Sequence, residues 1–197
     1  MIFSSITFLF YFLLIVMVIY YIVPNKLKNI VLLISSLAFY AYGEPRYVFL
    51  MIFSILITYI FGLLIDKYKN TKYSKLILLT SICINLGLLV YFKYIDFIIQ
   101  NINLWLSTKI DLINVLLPIG ISFYTFQTIS YLIDVYKNKV EVQKNFINLA
   151  LYISLFPQLI AGPIVRYIDI KEQLENRDYS IEKFATGQYS DEEIKNI

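Results

Sequence analysis

The 197-residue chain has no histidine and one cysteine, and only 16% of its residues are charged. Without histidine there is no imidazole base and no Ser-His-Asp triad. A His/Cys zinc site is impossible, and one thiol has no partner for a disulfide within the chain. No glycine loop for phosphates and no nucleotide fingerprint occurs, so no bound cofactor and no metal is expected. The net charge of +3 is too small for a nucleic-acid footprint. Hydrophobic residues make up 59% of the chain. A soluble globule of this size leaves too much of its chain exposed to hide that apolar surface, and disorder is excluded on the same numbers. The solvent this composition fits is lipid, and the fold class it implies is all-α, a polytopic bundle of transmembrane helices.

Apolar runs divide the chain into five to six membrane segments. The first, Ile6 to Val23, is too long for the apolar region of a signal peptide and no small-residue cleavage site follows it. Ile30 to Tyr42 comes next and stops at Gly43-Glu44-Pro45-Arg46. Tyr47–Ile65 and Leu76–Phe92 are the third and fourth. Tyr94–Ile113, softer and holding Trp105, reads as an interfacial loop or surface helix. The fifth run is Leu112–Tyr136. The sixth, Phe146–Tyr167, is interrupted by Pro157, Gly162 and Pro163, the pattern of a broken or re-entrant segment. From Lys171 onward the chain turns polar, so residues 1–170 read as the membrane part and 171–197 as a polar tail.

Loop charge fixes an expected orientation. The loops carrying Lys26 and Lys28, Lys67 to Lys75, and Lys137 to Lys144 are net positive, and the loops between them are neutral. The positive-inside rule then puts the positive loops in the cytoplasm and the N-terminus outside.

On a helix turning about 100° per residue, Tyr124, Gln127, Tyr131 and Asp134 share one side, with Ser130 at its margin. Ser122, Phe126, Ile129 and Ile133 fall opposite. Polar groups on a membrane helix face the bundle or a cavity, so this stripe is either an interhelical hydrogen-bonded seam or the wall of a substrate passage. In the broken segment, Gln158 and Arg166 are the polar groups at membrane depth. Arg166 is either a ligand for an anionic group or a cytoplasmic anchor. Pro118 and Gly120 kink or start the fifth helix. Cys83, in an apolar run, is expected to pack in the core. Gly62, Gly87 and Gly120 form no GxxxG pair.

The segments LLPIGISFYTFQTISYLIDVYK (Leu116 to Lys137) and FPQLIAGPIVRY (Phe156 to Tyr167) resemble the membrane-bound O-acyltransferase family. The resemblance is strongest to the membrane subunit of bacterial alginate O-acetylation and weaker to the D-alanyl transfer protein of teichoic acid modification. FYAYGEPRYV (Phe39 to Val48) and LGLLVYFKYIDF (Leu86 to Phe97) match the same branch. The resemblance covers Met1 to about Gly187. It implies a ring of membrane helices around a funnel. An acyl thioester donor would serve it from the cytoplasm, and a polysaccharide hydroxyl or a relay acyltransferase would accept on the outer side. Tyr124, Gln127, Ser130, Tyr131, Asp134, Gln158 and Arg166 would line the passage.

The family's histidine, in a Trp-Arg-Trp-His type segment, has no counterpart here; the one tryptophan is Trp105. No residue is therefore assigned a catalytic role, and the chain alone is expected to be inactive. After FATG (Phe184 to Gly187), the family continues into another apolar helix, whereas this chain continues as QYSDEE. It reads as an N-terminal portion or a truncated frame. Two other functions remain open on the residues: a transporter or channel-like protein, and a non-catalytic membrane interaction protein.

Overall fold

A computed structural model describes residues 8–161 and 165–175. A π-helical stretch, Phe8–Leu13, leads into α1 (Leu14–Ile22). It is followed by α2 (Asn25–Gly43), α3 (Val48–Lys67), α4 (Lys72–Leu106), α5 (Ile121–Tyr136), α6 (Phe146–Ser154), α7 (Phe156–Ala161) and α8 (Tyr167–Glu175). Among the described residues there is no strand, as the composition implies. α3 and α4 are each long and apolar enough to cross a membrane.

Around an apolar core, polar side chains of α3 and α4 turn inward and many apolar ones outward. Ser54 and Thr58 of α3 and Ser74, Ser81 and Asn85 of α4 are buried, while Phe49, Phe53, Leu76 and Leu79 on the same helices are exposed. Ser54 Oγ donates to Asn85 Oδ1 at 3.0 Å, and Asn85 Nδ2 donates to the Ser81 carbonyl at 3.0 Å. The Ser54–Asn85 bond joins two helices, and such bonds contribute about 0.6 kcal/mol, while the Asn85–Ser81 bond lies within α4. In lipid it is polar side chains that seek the interior, because only there do they find partners. Membrane residence follows from this inversion together with the two long apolar helices.

The same inversion corrects the expectation for Cys83, which is exposed. The buried positions of α4 recur at 74, 78, 81, 85 and 89, and residue 83 lies two positions, about 200°, from Ser81. An apolar run buried by lipid carries no information about which residue faces protein.

Two boundaries also differ from expectation. α4 does not break near Lys93 but continues to Leu106, because nothing between Phe92 and Trp105 is a helix breaker. The fifth run does not begin as helix at Leu112: residues 107–118 are irregular, and α5 starts at Ile121. Pro118 and Gly120 thus start the helix rather than kink it. Gly120 has φ +74°, the left-handed region.

The long stretch before α5 is tied down by side chains. Glu44 Oε2 accepts from Ile119 N at 3.0 Å, Tyr40 Oη donates to the Ile119 carbonyl at 3.0 Å, and Tyr47 Oη donates to the Leu116 carbonyl at 2.8 Å. These clips fix the start of α5 against the α2–α3 turn. α5 then packs on α3 and α4. Gly62 of α3 lies beneath the Tyr131 ring; a Cβ there would sit 3.4 Å from the ring edge.

The sixth segment is broken, but not at Pro157. The helix stops after Ser154, Leu155 is non-helical, and Pro157 sits in the first turn of α7. A proline ring collides with the carbonyl four residues before it, so a continuous helix through Ser154 is blocked, whereas a first turn tolerates proline. Gly162 and Pro163 lie outside the described residues, as do residues 176–197 of the tail. α8 runs through the 170/171 boundary, and its Leu174 is buried.

Candidate functional site

The polar stripe of α5 faces inward. Tyr124, Gln127, Tyr131 and Asp134 are all buried, at 0–2% exposure. Ser130 is half-buried at the margin, and Phe126 on the opposite side is exposed. Thr125 and Thr128 are buried too, and the sequence reading missed them. Thr128 Oγ1 donates to the Thr125 carbonyl at 2.8 Å, the self-satisfying habit of threonine in helices.

The half of the stripe nearer the α5–α6 loop is closed by partners. Tyr131 Oη accepts from Gln143 N at 2.9 Å. Gln143 Nε2 donates to Tyr167 Oη at 2.7 Å and to Glu175 Oε1 at 3.0 Å, and its Oε1 accepts from Asn145 N at 2.9 Å. Gln143 therefore joins α5, α6 and α8, and the Tyr131 and Tyr167 rings pack edge to face at 5.1 Å. It was overlooked because a glutamine in the polar run between two helices reads as loop.

Arg166 and Asp134 find each other. Arg166 Nη2 donates to Asp134 Oδ1 at 2.8 Å and to Oδ2 at 3.0 Å. The carboxylate is buried, and the arginine side chain is 49% exposed. The pair links α5 to the turn before α8. One guanidinium nitrogen makes both bonds, so the rest of the fork is not used by Asp134.

The other half of the stripe is not closed. Tyr124 Oη and Gln127 Oε1 are buried without a hydrogen-bond partner among the described residues. Gln158 Nε2 in α7 is in the same condition, and Ser81 Oγ on α4 is the remaining case. Next to Gln158, Leu159 packs on Gly120, one helical turn before Tyr124; a Cβ on Gly120 would sit 3.0 Å from Leu159 Cγ. Three of the seven candidates thus carry an orphaned polar atom, where native interiors leave few.

Neither of two surface cavities is lined by any of the seven. One, of about 230 Å³, lies among Asn25, Asn29, Asn145 and Asn148. The other, of about 330 Å³, lies among Asp66, Lys69, Lys139 and Lys171. Among the described residues no cluster of metal-ligating side chains occurs.

Known proteins add what this geometry lacks. The chain is 39% identical over 192 residues to a probable alginate O-acetylase of Pseudomonas syringae pv. tomato, covering 95% of this chain and 37% of that protein. The corresponding protein of Pseudomonas putida is 38% identical, with 95% and 40% covered. A peptidoglycan O-acetyltransferase of Helicobacter pylori is 31% identical over 207 residues, with 90% and 39% covered. No family model matches, and no solved structure matches. The chain spans 37–40% of the length of these curated relatives. The likeness carried by the α5 and α7 motifs is therefore part of a similarity to named alginate O-acetylases that extends over nearly the whole chain.

Proposed function

We propose that this chain supplies the scaffold and part of the passage wall of a membrane O-acyltransferase that moves acetyl groups to hydroxyls of an exported polysaccharide. The observation that carries the reading is the similarity over 95% of the chain to alginate O-acetylases. The orphaned atoms of Tyr124, Gln127 and Gln158 support a passage at that part of the helix array. The Tyr124 hydroxyl and Gln158 Nε2 are neutral donors suited to a thioester or ester carbonyl, and Gln127 Oε1 is an acceptor suited to a hydroxyl or water.

The chemistry itself is not in this chain. Taking the proton from an attacking hydroxyl needs a base, and a positioned base contributes typically about 10²–10⁴-fold. There is no histidine, and the carboxylate of Asp134 is engaged by Arg166. The acyl donor is a cytoplasmic thioester, and the acceptor is the polysaccharide or a relay acyltransferase. Five to six membrane segments, with the α6–α7 break as the re-entrant one, form part of a helix ring. The protein lies in the cell membrane with its N-terminus outside.

The direct test is a chimera. This chain replaces the aligned region of the Pseudomonas syringae protein, and acetylation of alginate is measured in cells. Restored ester formation supports the reading; a stable, membrane-inserted chimera without activity overturns it. The chain alone, given a labelled acetyl thioester and polysaccharide, is expected to give no ester above empty membranes. Orientation is tested with Cys83→Ser as background. Arg46→Cys should react with an impermeant thiol reagent in intact cells and Lys69→Cys should not; the reverse pattern overturns the topology.

A further inference from the structure

α4 has 35 residues and is therefore about 52 Å long, whereas the bilayer is about 30 Å across its hydrocarbon and about 40–45 Å with its headgroups. An upright α4 would push its last turns, and the irregular stretch after them, into water. Their surface is wrong for water. The lipid-facing stripe of the first half, Leu76, Leu79, Leu86 and Val90, continues at the same three- and four-residue spacing through Tyr94, Phe97 and Leu104, with Trp105 beside it. All are exposed, Trp105 at 89% and Leu104 at 78%. Leu116, Leu117 and Ile119 on the following stretch are exposed as well.

The second observation is where the polar groups go. Asp96 Oδ1 accepts from Ile113 N at 2.9 Å and Asn114 N at 3.2 Å. Asn103 Oδ1 accepts from Ile110 N and Thr108 Oγ1, both at 2.9 Å, and its Nδ2 donates to the Ile110 carbonyl at 2.8 Å. At the far end Glu44, Tyr40 and Tyr47 bind the backbone of Leu116 and Ile119. Non-helical backbone next to lipid needs such partners.

We propose that the last third of α4 and residues 107–119 form an anchor in the membrane interface. Leu104 and Trp105 lie in the headgroup–acyl boundary with Tyr94 and Phe97 further into the acyl layer, and α4 crosses at a tilt that keeps them there. The occupant of this face is lipid rather than a protein partner, because exposed apolar side chains recur at one spacing from Leu76 to Leu104, and Asn101 on the same stripe turns its amide back to the Phe97 carbonyl. The inference rests on membrane residence, not on which side that end of α4 faces.

Trp105 is the one tryptophan in the chain, so its fluorescence reports this site without mutation. The full chain is reconstituted in vesicles of phosphatidylcholine and phosphatidylglycerol, with or without lipids brominated on their acyl chains, and separately titrated with iodide. Expected are a blue-shifted emission, strong quenching by brominated lipid and weak quenching by iodide. A vesicle-bound chain whose Trp105 is quenched by iodide and untouched by bromine overturns the anchor. So does one shielded from both, which would mean protein covers the site. A chain that does not float with the vesicles would instead overturn membrane residence. As a second probe, Trp105→Phe with Tyr94→Trp should be quenched by bromine more strongly than Trp105, since residue 94 lies further into the span.

Discussion

Along α5 the two halves of one polar stripe meet opposite fates. Tyr131 and Asp134 are held by Gln143 and Arg166, whereas Tyr124 and Gln127, equally buried one and two turns earlier, leave an oxygen each without a partner. Burial is the same, so the difference lies in what the neighbouring elements offer. The Tyr131–Asp134 half faces the loop after α5 and the start of α8, which bring donors to it. To the Tyr124–Gln127 half no described residue brings a partner for Tyr124 Oη or Gln127 Oε1. A buried polar atom costs about 1–3 kcal/mol when left unpaired. A fold that satisfies one half so fully and leaves the other open treats the first as structure. The second is left with two polar atoms that no described residue meets.

The comparison predicts large stability effects on the closed half. Arg166→Met would strand a buried carboxylate. Breaking a buried pair costs about 3–5 kcal/mol, and the half-exposed guanidinium places this one at about 3. The double change Arg166→Met with Asp134→Leu should recover most of that loss, because no charge is left buried. Thermal unfolding in detergent checks both, and a double variant as weak as the single one would mean the pair does more than neutralise itself.

Gly120→Ala comes next. Its φ of +74° costs an L-residue roughly 1–2 kcal/mol, and the added Cβ must push Leu159 at 3.0 Å. Measured in a Leu159→Ala background, where the contact is gone but the backbone strain is not, Gly120→Ala should still cost about half as much as in the unaltered chain. No cost in that background would show that the left-handed conformation is not required to start α5.

Much of this was readable beforehand. The 3.6-residue arithmetic placed Tyr124, Gln127, Tyr131 and Asp134 on the inner side, because polarity on a membrane helix has only one direction to point. The same logic, applied to α4, would have put Ser74, Ser81 and Asn85 inside and Cys83 outside; treating the run as uniformly apolar hid that. The Asp134–Arg166 pair and the Gln143 hub were not readable, since their members lie 32, 12, 24 and 32 residues from their partners and only tertiary packing joins them. The end of α4 misled because charge and amides at Lys93, Asp96 and Asn103 resemble a loop, yet none of them breaks a helix. The break before Pro157 was legible as an interruption, but its position follows from the carbonyl that the ring blocks, upstream of the proline itself.

Tyr131→Phe should be the mildest loss on the closed half. It leaves the buried Gln143 N–H without its acceptor, at about 1–2 kcal/mol. Tyr124→Phe removes a hydroxyl that bonds to nothing described, so the same chemical change seven residues earlier should be neutral or stabilising by up to about 1 kcal/mol. Gln127→Met, close in volume and without the orphaned oxygen, should behave likewise. The sign difference between Tyr131→Phe and Tyr124→Phe, measured side by side by thermal unfolding, is the smallest effect and the sharpest. In the acetylating chimera the order should reverse. Tyr131→Phe acts only through stability and should keep acetylation in proportion to the protein present. Tyr124→Phe should lower it per molecule, since it removes a donor kept unpaired for a passing acyl carbonyl, and Gln127→Met should lower it by removing an acceptor for a hydroxyl. Should Tyr124→Phe destabilise as much as Tyr131→Phe, its hydroxyl has a partner, and the open half is a seam like the other. Should it be stabilising and leave acetylation untouched, the orphaned atoms are an unrelieved cost, and the passage runs elsewhere.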